Sequence, residues 1–74
     1  MIGSINLALA YTTRVEEVSA TVTLVGEALP GTTDAQALWR IKKIDSSSIV
    51  EVIWAEGSDE FNKVWDDRAS YTYS

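Results

Sequence analysis

Carboxylates and serines are the side chains in this 74-residue chain that could do chemistry, because the sequence contains no His and no Cys. Five acids lie close together in its last third: Glu56, Asp59, Glu60, Asp66 and Asp67. Paired carboxylates catalyse acid–base reactions when a pocket raises the pKa of one of them, and several oxygen ligands can bind Ca²⁺. The Asp/Asn spacing of the known calcium loop is absent, and so small a chain has little room for a substrate cleft. We therefore interpret these acids as solvated charges, and we predict no metal and no cofactor.

The serine run Ser46–Ser48 is the remaining candidate for catalysis. A nucleophilic serine needs a positioned base, usually His, and the run lacks the flanking glycines of a nucleophile elbow. The four glycines are scattered, so no phosphate-binding loop is present either. We predict that the run is a hairpin loop and that the protein is not an enzyme.

The aromatic residues are the most informative side chains. We assign Trp39, Trp54, Phe61 and Trp65 to the core, because aromatics bring large buried area to a small domain. Two alternatives stay open for the tryptophans, namely a platform that stacks on sugars and anchors at a protein interface.

The C-terminal tyrosines, Tyr71 and Tyr73, are as suited to an interface as to a core. A terminal strand with unpaired edge groups is a ready site for pairing with a neighbouring chain. We predict that both tyrosines contact another chain. A second contact patch is predicted at Ile5, Leu7 and Leu9.

Charge and hydropathy exclude several classes of function. Lys and Arg number 6 against 11 Asp and Glu, which gives a net charge of −5 and disfavours nucleic-acid binding. The basic cluster Arg40, Lys42 and Lys43 is interpreted as a solvated strand face. The N-terminus lacks the pattern of a signal peptide, and residues 1–13 are too short and too polar to cross a bilayer. We expect no membrane partner.

Alternating hydropathy predicts strands along most of the chain. Ile5, Leu7, Leu9 and Tyr11 lie on one face of a first strand, and Val18, Ala20, Val22 and Leu24 lie on one face of a second. The apolar positions change from odd to even between the two. We therefore predict a bulge, bend or turn at residues 14–17. Residues 27–34 read as a loop around Pro30-Gly31.

The second half continues the pattern. Residues 37–44 form a third predicted strand, with Trp39 and Ile41 on one face, and residues 49–55 form a fourth after the hairpin loop. Phe61, Val64 and Trp65 have helical spacing and predict a short helix. Residues 69–73 alternate again as a last strand. The predicted fold is mainly β, a small β-sandwich or barrel-like sheet of about five strands with one short helix.

Size and organisation point to assembly. The chain allows one domain, residues 1–74, whose core supplies about 3–5 kcal/mol. Disulfides are impossible without cysteine, so we expect other chains to supplement that core. Residues 1–13 are predicted to be a strand or an arm that contacts a neighbouring chain.

The C-terminal half carries a recognisable pattern. Three segments form it: Trp39-Arg40-Ile41, residues 53–57 with the sequence IWAEG, and residues 61–73 with the sequence FNKVWDDRASYTY. Over roughly residues 38–74 the chain resembles a group of short structural proteins of tailed bacteriophages. The resemblance implies a virion component, and the small core favours one that binds other virion proteins and copies of itself as a homo-oligomer. It supplies no catalytic residues.

The resemblance leaves the position in the particle open between a capsid decoration or cement subunit and a small neck or tail component. In either position the protein would be made in the host cytoplasm and found in the virion. The rival hypothesis is a small phage-encoded binding module, directed at a host glycan or acting as an inhibitor of a host protein.

Overall fold

A computed structural model describes residues 10–74 and shows five β-strands followed by one short 3-10 helix. The strands are β1 (Thr12–Glu17), β2 (Val22–Ala28), β3 (Ala37–Asp45), β4 (Glu51–Trp54) and β5 (Lys63–Val64), and the 3-10 helix is Trp65–Ser70. They form one antiparallel sheet in the order β1-β2-β3-β4, in which β5 also pairs with β3. The predicted fold class, mainly β with about five strands and one short helix, is confirmed.

Strand β3 lies at the centre of the sheet. It pairs with β2 along one edge and with both β4 and β5 along the other. Its last four residues pair with β4, whereas Ala37 and Trp39 pair with β5 across a shift in register. The Ala55 N–H donates to the Ile41 carbonyl (2.9 Å) and extends the β4 ladder. Beyond β4, a bridge joins Ala55 to Tyr73, which brings the C-terminus to the edge of the sheet.

The two faces of the sheet differ. The core lies on one face, where the C-terminal segment of residues 63–74 forms the covering layer; its buried residues are Leu24, Ala28, Trp39, Ile41, Ala55 and Trp65. As the alternation in β3 predicts, Trp39 and Ile41 are buried while Leu38 is exposed. We call the opposite side the outer face.

The first hairpin differs from the prediction of a bend at residues 14–17. Those residues belong to β1, and the chain reverses after them at residues 18–21. Thr12 pairs with Ala28 and Glu16 with Leu24, so the even-numbered residues of both strands face the core side. The apolar pattern was misleading because the inward side chains of β1 are polar and form ion pairs.

The predicted helix and last strand are also displaced. Phe61 and Val64 do not share a helix face, because Val64 ends β5 and the 3-10 helix begins only at Trp65. It runs to Ser70, through the start of the strand predicted at residues 69–73. The structure reduces that strand to the single bridge at Tyr73. Helical spacing over two turns is weak evidence, and the pairing of β5 with Ala37 and Trp39 competes with it.

The predicted N-terminal arm falls mostly outside the described residues, as do Ile5, Leu7 and Leu9. Of its described part, Tyr11 stacks on Phe61 with ring centroids 5.3 Å apart. Thr12 and Thr13 begin β1 and pair with β2. None of the helices in the described chain is long and apolar enough to cross a membrane.

Candidate protein-interaction surface

The acids of the last third do not converge on a site. Within residues 10–74 no three His, Cys, Asp or Glu side chains are grouped closely enough to hold a metal ion. The Glu60 carboxylate instead accepts a hydrogen bond from the Ser58 hydroxyl (3.2 Å), and the Ser58 Oγ accepts one from the Glu60 N–H (3.1 Å). These bonds fix a local turn of the loop before β5.

The serine run lies in the loop between β3 and β4. The Asp45 carboxylate accepts hydrogen bonds from the Ser47 hydroxyl (2.7 Å) and the Ser47 N–H (2.9 Å). Both bonds favour the ionised acid and lower the pKa of Asp45. The arrangement is an Asx turn that shapes a hairpin loop.

Ion pairs tie β1 to the covering segments on the core face. Arg14 Nε lies 3.2 Å from Asp34 Oδ1, and Arg68 Nε lies 2.8 Å from Glu16 Oε1. The hydrogen bond from Arg68 lowers the pKa of the Glu16 carboxyl. Arg68 also stacks over the Trp65 ring at 4.6 Å. The polar inner side of β1 is thus matched to charges on the neighbouring loop and on the 3-10 helix.

The predicted contact residues Tyr71 and Tyr73 are half-buried against the core. The Tyr71 hydroxyl accepts a hydrogen bond from the Val64 N–H (2.7 Å), and the Tyr73 hydroxyl donates to the Arg68 carbonyl (2.8 Å). Burial raises the pKa of Tyr73 to about 12. Both side chains therefore hold the C-terminal segment in place, and their contact with another chain stays a prediction.

The same two tyrosines form part of an open cleft of about 390 Å³ on the core face. The buried Leu24 lines it, and so do charged side chains from β1, β3 and the 3-10 helix: Glu16, Glu17, Lys43 and Arg68. The lining of this cleft therefore combines charged and apolar side chains.

An aromatic cluster around Arg40 occupies the outer face. The guanidinium carbon lies 4.7 Å from the ring centroid of Phe61, 5.2 Å from that of Tyr11 and 5.9 Å from that of Trp54. Glu27 on β2 accepts a hydrogen bond from Arg40 Nε (3.0 Å). Cation–π attraction and the ion pair together hold the rings on the sheet. Trp54 and Phe61, both assigned to the core from sequence, are half-buried here, unlike the buried Trp39 and Trp65.

Beside this cluster the outer face has an apolar cavity of about 290 Å³, which is lined by Tyr11, Leu29, Thr32, Leu38 and Phe61. Leu29 and Leu38 are each 50% exposed. Hydroxyls on Tyr11 and Thr32 are the only polar side-chain groups among these lining residues. The cavity therefore suits an apolar side chain better than a sugar, which needs hydrogen-bonding partners around its ring.

Further apolar residues are exposed away from the cavity. Apart from Val15 on β1, they lie in or beside the two hairpin turns at the other end of the sheet, and they are Val18, Ile49, Val50 and Val52. The Ser46 N–H donates to the Thr21 carbonyl (2.8 Å), which brings these turns together. Strand β4 is not covered on both faces, because Val52 is 51% exposed.

Sequence reasoning missed the Arg40 cluster, although it recognised Arg40, Lys42 and Lys43 as a basic cluster on a strand. It interpreted the basic residues as solvated. The cluster could have been found only by pairing the outer face of β3 with apolar and aromatic residues elsewhere in the chain. Only the register brings those residues together.

Comparison with known proteins gives no identification. No protein-family model matches the sequence, and neither a curated protein nor a solved structure matches it.

Proposed function

We propose that this chain is a structural subunit of a tailed-bacteriophage particle that acts by binding other virion proteins and copies of itself. The apolar cavity on the outer face carries this assignment. Soluble monomers usually expose apolar residues singly, whereas here Tyr11, Leu29, Leu38 and Phe61 line one concave site. Exposed apolar residues that meet in one concave site suit an apolar side chain of a partner protein better than they suit water.

The chemistry of the chain supports assembly rather than catalysis. Its net charge of −5 suits a component of a capsid exterior, neck or tail, which need not contact DNA. The resemblance over residues 38–74 contributes the virion as the place of action. In the fold, those residues include the core strand β3, the covering segment and most of the Arg40 cluster.

The binding-module alternative has one observation in its favour, the aromatic lining of the same cavity. Tyr11 and Phe61 form one wall, and Arg40 lies beside both. Because the lining is almost wholly apolar, a host protein that inserts an apolar side chain fits this alternative better than a host glycan does.

Quantitative mass spectrometry of purified particles tests the assembly role. We expect the wild-type chain at many copies per particle and a clear fall for Leu38→Asp, because a carboxylate in the cavity is left without a partner when the surface is covered. Ile49→Asp is the matched control: it also places a charge at an exposed apolar residue, but beyond the far end of β3, about 25 Å away.

Two results would overturn the assignment. One is a chain that occurs only in infected-cell cytoplasm and never in particles. This result would favour the alternative, an inhibitor of a host protein. The other is equal incorporation of Leu38→Asp and wild type, which would remove the cavity from the contact surface. Circular dichroism of both variants checks that each remains folded.

A further inference from the structure

Strand β1 presents an open edge within the described chain. It pairs with β2 on one side, and no strand among residues 10–74 pairs with the other. The Val18 N–H donates to the Val22 carbonyl (2.9 Å), and the register extends this pairing along the hairpin. Hydrogen-bonded pairs alternate in an antiparallel ladder. Thr13, Val15 and Glu17 therefore direct their N–H and C=O groups away from β2.

Within residues 10–74 this edge is regular and uncovered. The β1–β2 register runs without a shift from Thr12 to Glu17, and the sequence of β1 has no proline. Val15 at its centre is 63% exposed. Proline, bulges and charged side chains are the usual devices that limit edge pairing. Strand β1 has no proline and no bulge, so its charged side chains alone control what binds.

We propose that the partner of this edge is β1 of a second copy, paired antiparallel about a two-fold axis at Val15. In this register Val15 faces Val15 of the other copy, and Thr13 faces Glu17 in both directions. All three pairs use the outward-directed groups, so the ladder forms without breaking any bond to β2.

The charges of β1 select this register. With the axis at Val15, Arg14 of each copy lies opposite Glu16 of the other. A shift that centres the axis on Arg14 or on Glu16 places like charges directly opposite one another, which destabilises a sheet. An axis centred on Thr13 or on Glu17 loses both opposite-charge pairs. An axis on Glu17 also places Glu17 of one copy opposite Glu17 of the other.

The existing ion pairs continue across such a seam. Arg14 already bonds to Asp34 and Glu16 to Arg68, and the side chains of Arg14 and Glu16 remain 41% and 43% exposed. Each side of the two-fold axis then carries a row of alternating charge: Asp34, Arg14, Glu16 of the other copy, and Arg68 of that copy. Each charged group in the middle of the row has an opposite charge on both sides.

A second copy as partner deepens the proposed function by naming one contact that the subunit makes, and the cavity on the outer face is left for other proteins. The dimer is measured on the purified full chain, without particles. Its failure therefore leaves incorporation into particles untouched, and a failure of incorporation leaves the dimer untouched.

Sedimentation velocity over micromolar to millimolar protein tests the association. We expect a concentration-dependent shift from monomer to dimer. In the same range, amide hydrogen exchange at Thr13, Val15 and Glu17 should slow as concentration rises. A monomer throughout, or protection of these amides that does not depend on concentration, would overturn the proposal.

A charge-exchange pair of variants tests the register. Arg14→Glu makes both facing positions acidic and Glu16→Arg makes both basic, so each variant alone should dimerise roughly tenfold more weakly than wild type or worse. Mixed in equal amounts, the two should form a heterodimer at least as readily as wild type, because every facing pair is again of opposite charge.

Glu51→Arg is the control for the change in net charge. It keeps Arg14 and Glu16, so a heterodimer with Arg14→Glu contains one facing pair of like charge and should form less readily than the heterodimer of Arg14→Glu with Glu16→Arg. Circular dichroism checks that every variant is folded. If the mixed Arg14→Glu and Glu16→Arg chains associate no better than each alone, the register about Val15 is wrong.

Discussion

The indole of Trp65 lies directly on the backbone of Gly26, so closely that a Cβ added there would be 2.5 Å from Trp65 Cε3 and 2.7 Å from Cζ3. The same Cβ would lie 3.3 Å from Cε3 of Trp39. Glycine on the core face of β2 thus makes the space into which the C-terminal covering segment places its largest ring. The two tryptophan rings stack beside it with centroids 6.0 Å apart.

Gly26→Ala should destabilise the domain by about 1–3 kcal/mol, because the added methyl overpacks the core. Urea unfolding measures the loss. In a Trp65→Leu background the same substitution should cost clearly less, since the smaller side chain leaves room for the methyl. An equal cost in both backgrounds would show that the penalty arises in the strand backbone and not against Trp65.

Trp65→Ala should cost about 3–5 kcal/mol, which is comparable with the whole stability of so small a domain. Trp54→Ala is the matched control, because this ring is half-buried on the outer face and is held partly by Arg40. It should cost distinctly less in the same urea titration. Equal losses would mean that the covering segment contributes no more than the outer face.

The free energy of unfolding of Glu16→Gln should depend less on pH in the acidic range than that of the wild type. The Arg68 hydrogen bond lowers the pKa of Glu16 in the folded state, so its contribution is complete above the pKa of the unfolded chain and is lost as pH falls through the folded value. Urea unfolding at a series of acidic pH values measures the slope. Glu51→Gln removes the same charge at an exposed residue of β4 and should leave the slope steeper than Glu16→Gln does.

When tyrosine ionisation is followed by ultraviolet absorbance as pH rises, Tyr73→Phe should remove the step at the highest pH. Burial raises the pKa of Tyr73 to about 12, above the value of about 10 for an unfolded chain. Because the unfolded chain then releases the proton first, stability falls as pH rises from about 10 towards about 12. Tyr71→Phe is the comparison. It should keep a late step, moved to somewhat lower pH, because burial raises the pKa of Tyr73 most and the neighbouring Tyr71 adds to the rise.

The sequence by itself determined the fold class and the strands β3 and β4. Period-two alternation indicated β3 and its buried face, since Trp39 and Ile41 lie in the core and Leu38 does not. The Pro30-Gly31 loop and the serine run correctly marked the ends of strands. These features are local, and each follows from residue types a few positions apart.

Tertiary structure alone decided which face of β1 is turned inward and what covers the core. Arg14 and Glu16 face the core side because Asp34 and Arg68, distant in sequence, neutralise them there. Hydropathy alone cannot show such a pairing, so the reversal of the chain was predicted too early. The two-residue strand β5 and the 3-10 helix likewise depend on pairing with Ala37 and Trp39 and on the room left by Gly26. Ion pairing and close packing between distant segments outweighed the weak helical spacing of Phe61, Val64 and Trp65.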